Sequence, residues 1–83
     1  MKVTLRYFAS VRETIGTGSE SIETQTSTVG ALRDALIARG GVHAEALARG
    51  KAVRLALNQT MADESAALTE GAEIGFFPPV TGG

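Results

Sequence analysis

From Lys2 to Phe8 the chain alternates, with Val3, Leu5 and Tyr7 on one face and Lys2, Thr4 and Arg6 on the other. A period of two predicts a strand with one buried face. Phe8 follows the inward Tyr7 and is expected on the opposite face. Ser10 and Glu13 stand at capping-box spacing, which predicts a short helical turn from Ser10 that stops at Gly16. Gly16-Thr17-Gly18 breaks the chain. Ser19 to Thr24 carries one large apolar residue, Ile22, and reads as a short, polar edge strand.

A different period follows. Ser27-Thr28 supplies an N-cap, after which Val29, Leu32 and Leu36 recur at spacings of three and four. This predicts the main helix, with Ala35 beside the apolar stripe, Arg33, Asp34 and Arg39 off it, and Gly40-Gly41 ending it. Ala44 to Arg49 reads as a second, shorter helical stretch closed by Gly50. Val53, Leu55 and Leu57 then alternate with Arg54, Ala56 and Asn58, giving another strand. Asn58-Gln59 is a turn signal leading to a brief return strand near Met61. Leu68-Thr69-Glu70-Gly71 is a further turn, and Glu73 to Phe77 a last strand. Strands at both ends with a helix between them predict an α+β domain, the helix lying on one face of the sheet.

Composition narrows the function classes. The 83 residues suffice for one domain and not two. Hydrophobic residues make up 43%, enough for a core without a staple, and charged residues 20%, too few for a disordered chain. Eight Lys and Arg against nine Asp and Glu leave no electrostatic footprint for nucleic acid or anionic lipid. The chain has no cysteine, which removes disulfides, zinc–cysteine sites, iron–sulfur clusters and thiol catalysis together. The polar residues alternating in Met1-Lys2-Val3-Thr4-Leu5-Arg6 do not fit a signal peptide, and no apolar run approaches the ~20 residues of a membrane span. A soluble, cytoplasmic protein without membrane or nucleic-acid partner is expected.

The last eight residues, Phe76-Phe77-Pro78-Pro79-Val80-Thr81-Gly82-Gly83, carry the most chemistry. Two prolines fix φ and remove backbone donors, so the sheet stops there and the exit is stiff and extended. The division expected is a domain over residues 1–77 and an extended, flexible tail over 78–83. Six residues from Pro78 onward reach at most ~20 Å. Two readings stand at this point: a frayed, Gly-containing end, or a stiff root with a tip of minimum width that threads a terminal carboxylate into a narrow active site.

Leu68 to Gly83 resembles the C-terminus of the small, sulfur-carrier subunits of molybdopterin synthase, a family of ubiquitin-like sulfur carriers. Phe8-Ala9-Ser10-Val11-Arg12-Glu13, Thr28-Val29-Gly30-Ala31-Leu32 and Leu57-Asn58-Gln59-Thr60 match the same family, so the likeness covers essentially the whole chain. The Phe-Phe-Pro-Pro-Val-Thr-Gly-Gly ending is its specific part. Two departures stand out. Glu70 and Ala72 flank Gly71 where the family carries Asp, and Gly75 replaces a bulkier strand residue, which predicts a looser last turn and strand.

The resemblance implies a β-grasp fold, a mixed sheet of about five strands packed on one main helix. It implies that a ubiquitin-activating-enzyme-like adenylyltransferase uses ATP to adenylate the carboxylate of Gly83, and that a sulfur donor converts it to a thiocarboxylate. Gly82 keeps the tip narrow. The carrier then docks on the large synthase subunit and delivers sulfur; it has no catalytic site of its own and binds no cofactor. By the same resemblance Phe8, Arg12, Met61 and Phe77 contact that subunit, together with Pro78, Pro79, Val80 and Thr81 of the tail. A carrier for thiazole or cysteine synthesis, a ubiquitin-like protein modifier and a plain binding module are the alternatives. His43, the only histidine, reads as a surface loop residue rather than a metal ligand, and Glu13, Glu45 and Asp63 as solvated surface.

Overall fold

The first and last strands lie side by side at the centre of the molecule. In the computed structural model, which describes residues 1–79, β1 (Lys2–Tyr7) pairs in parallel with β5 (Glu73–Phe77), Leu5 opposite Ile74 and Tyr7 opposite Phe76. On the far side of β1 runs antiparallel β2 (Ser19–Glu23), and on the far side of β5 antiparallel β3 (Arg54–Leu57), followed by β4 (Thr60–Ala62). The order β2-β1-β5-β3-β4 therefore makes the polar Ser19–Glu23 segment an edge strand, as its sequence requires.

Register separates two sheet faces. Val3, Leu5, Tyr7, Leu55, Ile74 and Phe76 face a core closed by three helices: α1 (Ala9–Ile15) contributes Val11, α2 (Val29–Ala38) contributes Val29, Leu32 and Leu36, and α3 (Gly41–Leu47) contributes Ala46 and Leu47. The Oγ1 of Thr28 accepts from the N–H of Ala31 at 3.1 Å and caps α2. The opposite face carries Thr4, Arg6, Arg54, Ala56, Glu73, Gly75 and Phe77. Asn58 and Gln59, both at positive φ (51° and 70°), make the tight turn between β3 and β4.

Several expectations about the helices are corrected. Ser10 does not cap α1. The helix begins one residue earlier, with Phe8 at the N-cap and no side-chain cap, and its end at Gly16 is in the left-handed region (φ 94°). The second helical stretch spans Gly41–Leu47 rather than Ala44–Arg49, because the Gly40-Gly41 pair serves as its entry as well as the exit from α2. Ala35 is exposed. Arg33, expected off the apolar stripe, is buried with 4% exposure.

Arg33 is buried because each of its three guanidinium nitrogens has an acceptor. Its Nε donates to the carbonyl of Leu47 (2.9 Å), its Nη2 to those of Ala48 (2.9 Å) and Lys51 (3.0 Å), and its Nη1 to Glu64 (3.1 Å). The Leu47 carbonyl is an orphan acceptor at the end of α3, while those of Ala48 and Lys51 also accept from the N–H groups of Lys51 (2.9 Å) and Val53 (3.0 Å), so a cation from α2 caps that helix and holds the chain leading into β3. Arg49 extends the network to Asp34, Glu64 and the carbonyl of Gly30. The hydrogen bonds from Arg49 hold the carboxyls of Asp34 and Glu64 below the usual range. Among the described residues no buried side-chain polar atom lacks a partner.

A second cluster ties the edge strand to the helices. Glu20 sits on the core face of β2, opposite Leu5, and its carboxylate accepts from Tyr7 Oη (3.3 Å), Arg39 Nη1 (2.7 Å) and His43 Nε2 (3.1 Å). His43 is thus a helical residue with a side chain 12% exposed, and the surface-loop expectation fails. The Glu20 it binds lies 23 positions away in sequence, and no local pattern announces that contact. Burial pushes the Glu20 carboxyl up, but the hydrogen bonds from Arg39 and His43 outweigh it and hold the group below its ordinary 4.5. Burial, reinforced by the charge of Glu20, pushes the Tyr7 phenol up.

The direction for Glu20 fixes a sign. A carboxyl depressed in the folded state stabilises fully above its unfolded value, and that stability is lost as pH falls through the folded value. Glu20→Gln should therefore lower stability by about 1 kcal/mol at pH 7, and the gap from the unsubstituted chain should close as pH falls below 4.5. Thermal melts of both proteins between pH 7 and pH 3 measure this. A gap that stays constant across the range would show that the charge of Glu20 contributes nothing.

Candidate functional site

At the end of β1 the chain turns sharply into α1. Phe8 is extended (φ −125°, ψ 150°), and Ala9, with φ 50°, takes up a left-handed conformation that a residue with a Cβ adopts at some cost. The N–H of Phe8 donates to the carbonyl of Phe76 at 3.1 Å, which holds the turn against the end of β5. The Phe8 ring consequently lies on the outer face of the sheet, where it meets the ring of Phe77. The two are parallel, with an interplanar angle of 1° and centroids 4.4 Å apart. That separation exceeds the ~3.5 Å contact distance of stacked carbons, so the rings are displaced sideways, the favoured stacked geometry. The Arg6 guanidinium lies 5.7 Å from the Phe8 centroid and also faces Glu73 at 3.9 Å.

These rings floor an open groove of about 530 Å³ whose other walls are Ala9, Arg54, Met61, Pro78 and Pro79. Met61 is 54% exposed, the most exposed large apolar side chain among the described residues. Its position on an edge strand excludes the core role that its type alone permits. Of the residues predicted from sequence, the structure brings Phe8, Met61, Phe77, Pro78 and Pro79 together. Arg12 stands apart, exposed on α1 with its guanidinium against Gly18. Val80, Thr81, Gly82 and Gly83 lie outside the described residues.

Sequence reasoning missed Ala9 and Arg54. Arg54 was legible as an outward residue of its strand, but only the register places it opposite Phe77. Ala9 gives no local signal.

The expectation about Gly75 also changes. Gly75 is buried in mid-strand, and the Phe8 and Phe77 rings occupy the space a side chain would fill, so the strand is covered rather than loosened. Glu70 likewise tightens the turn before β5, its carboxylate accepting from the N–H of Lys2 at 3.2 Å.

Chemically, the groove is apolar, aromatic, bordered by arginine and continuous with the root of the C-terminal segment, a makeup that suits the docking of a partner. Among the described residues no group of three or more His, Cys, Asp or Glu could hold a metal ion, and no helix is long and apolar enough to cross a membrane.

A central parallel pair of terminal strands, antiparallel partners on each side and a helix across one face define a ubiquitin-like β-grasp protein. Comparison with known proteins sharpens this. The chain belongs to the ThiS family, whose model matches residues 5–83. It is 44% identical over 77 residues to the molybdopterin synthase sulfur carrier subunit of Escherichia coli, covering 93% of this chain and 94% of that protein.

Among solved structures it resembles a chain of the protein–protein complex of subunits 1 and 2 of molybdopterin-converting factor from Helicobacter pylori. That match has a TM-score of 0.68 at 26% identity over the whole of both chains. It also resembles small archaeal modifier protein 1 of Haloferax volcanii, with a TM-score of 0.76 at 25% identity over 95% of this chain and 98% of that one.

Phe77→Ala should weaken partner docking by about 2 kcal/mol, as expected for a truncated aromatic anchor, and Arg12→Ala by less than about 0.5 kcal/mol, as for a rim charge. Titration calorimetry against the large synthase subunit, with melting curves to confirm folding, distinguishes them. Equal losses, or none for a folded Phe77→Ala protein, would take Phe77 out of the interface.

Proposed function

We propose that this chain is the sulfur carrier subunit of a molybdopterin synthase and that Gly83 carries the sulfur. The observation that supports this best is the position of the aromatic groove, at the root of the segment that ends in Gly82-Gly83. A partner seated in the groove is positioned to receive the chain end.

A free carboxylate is a poor electrophile. A ubiquitin-activating-enzyme-like adenylyltransferase joins it to the AMP part of ATP and releases pyrophosphate. Sulfur delivered at the sulfide level by a donor then displaces AMP and leaves a thiocarboxylate. Glycine at the terminus leaves the activated carbon unshielded. Without cysteine the sulfur has no side-chain thiol to ride on, in keeping with a terminal carrier group.

On the large subunit the thiocarboxylate sulfur acts as nucleophile toward the cyclic pyranopterin monophosphate precursor, and two such transfers build the dithiolene. In each transfer water cleaves the acyl C–S bond, which leaves the sulfur on the precursor and regenerates the Gly83 carboxylate. In this reading the large subunit supplies the catalytic groups, this chain binds no cofactor, and its work is cytoplasmic, where ATP activates it.

The test is intact mass after incubation with ATP, the activating enzyme and a sulfur source. A thiocarboxylate adds about sixteen daltons, the difference between sulfur and oxygen. An unchanged mass would count against the carrier reading. The likeness to a small archaeal modifier protein gives a second reading, in which Gly83 forms isopeptide bonds. Conjugates on lysine in cell extract, without the mass increase, would favour it.

A further inference from the structure

We infer that Gly75 is a positioning residue: by lacking a Cβ it seats the Phe8–Phe77 pair low on the sheet and so sets the floor of the docking groove. The docking half of this inference rests on the sulfur-carrier reading; the seating half rests on the geometry alone.

Gly75 lies in the middle of β5, opposite Arg6 on one side and Ala56 on the other. It is not among the glycines with positive φ, so the backbone there does not require glycine. Glycine inside a strand is a local loss, since β-branched residues fit a pleated surface better. What glycine provides here is room. A Cβ at this position would lie 3.1 Å from Cε2 of Phe77 and 3.3 Å from Cε2 of Phe8, tighter than ordinary carbon contacts. Ala56, the cross-strand neighbour on the same face, is also small and buried. The two rings lie over the space that Gly75 leaves.

Phe77 is the last residue of β5, and Pro78 follows it with a fixed φ. The ring position and the departure of the chain are therefore set by the same few bonds. A methyl at position 75 displaces the rings by a few tenths of an ångström, and a branched side chain displaces them further. Both rings are only half-buried and yield toward solvent, so the groove changes shape while the core beneath keeps its packing.

The experiment compares Gly75→Ala and Gly75→Val in the full chain, measuring affinity for the purified large synthase subunit, melting temperature and the ring proton shifts of Phe8 and Phe77. Affinity should fall about threefold for Ala and about tenfold or more for Val, while melting temperatures stay within about 5 °C and the ring shifts move. In a Phe8→Leu/Phe77→Leu background, where flexible side chains step aside, Gly75→Val should change affinity by less than about twofold.

Wild-type affinity in Gly75→Val, or the same loss in both backgrounds, would overturn the role. Failure of the unsubstituted chain to bind the large subunit would remove the sulfur-carrier reading and the docking half with it. Ring shifts in the free variants would still decide the seating, and unmoved shifts would overturn that half.

Discussion

Deleting Gly83, or fusing one residue after it, should abolish sulfur transfer while leaving the melting temperature within about 2 °C of the unsubstituted chain. The two halves of this expectation have separate grounds. Transfer depends on the terminal carboxylate, because acyl-adenylate formation needs a free carboxyl and the chain has no cysteine to take over. Stability depends on residues elsewhere. The buried apolar core runs from Val3 to Phe76, and the last strand ends at Phe77. Transfer is read as molybdopterin formed with purified partners at limiting carrier. If a C-terminally extended protein supported the reaction without being trimmed, the terminus could not be the carrier group.

Arg33→Met should cost about 3 kcal/mol, because it leaves the buried Leu47 carbonyl at the end of α3 unpaired, takes one of two partners from the Ala48 and Lys51 carbonyls and breaks the pair with Glu64. For a domain of this size that lowers the melting temperature by roughly 12 °C or more. Methionine keeps most of the volume, so the loss reports the guanidinium rather than a cavity. Arg33→Lys restores the charge without the planar fork and should recover less than half of the loss. A melting temperature within about 3 °C of the original for Arg33→Met would show that water replaces the side chain freely.

The periodic parts of the fold were legible, and the parts decided at a distance were not. Val3, Leu5 and Tyr7 announce their strand because burial on one face imposes a period of two, and Val29, Leu32 and Leu36 announce α2 in the same way. Arg33 reads as solvent-facing because charge is normally excluded from a core. The carbonyls that reverse this judgement belong to α3 and the chain beyond it, 14 to 18 positions away. Glu20 and His43 fail in the same manner.

Much of the candidate groove was reachable, since Phe8 and Phe77 are aromatics on an otherwise polar face and Pro78-Pro79 mark the end of the sheet. Arg54 and Ala9 entered only with register and backbone geometry. Gly75 shows the limit most clearly. A glycine in a strand reads as weakness until the rings lying over it are seen.

The strand that leads to the C-terminal segment has a neighbour on each side, and this has a mechanical consequence. β5 is held by β1 along one edge and by β3 along the other. Ladder hydrogen bonds in antiparallel pairs run across the strands, and those in parallel pairs slant across them. A pull along the chain from its end therefore loads both ladders in shear, many bonds sharing the force, rather than peeling them apart one at a time as at a sheet edge. The C-terminal segment is thus rooted in an interior strand that resists a pull on the chain end, rather than in an edge strand that could be peeled away.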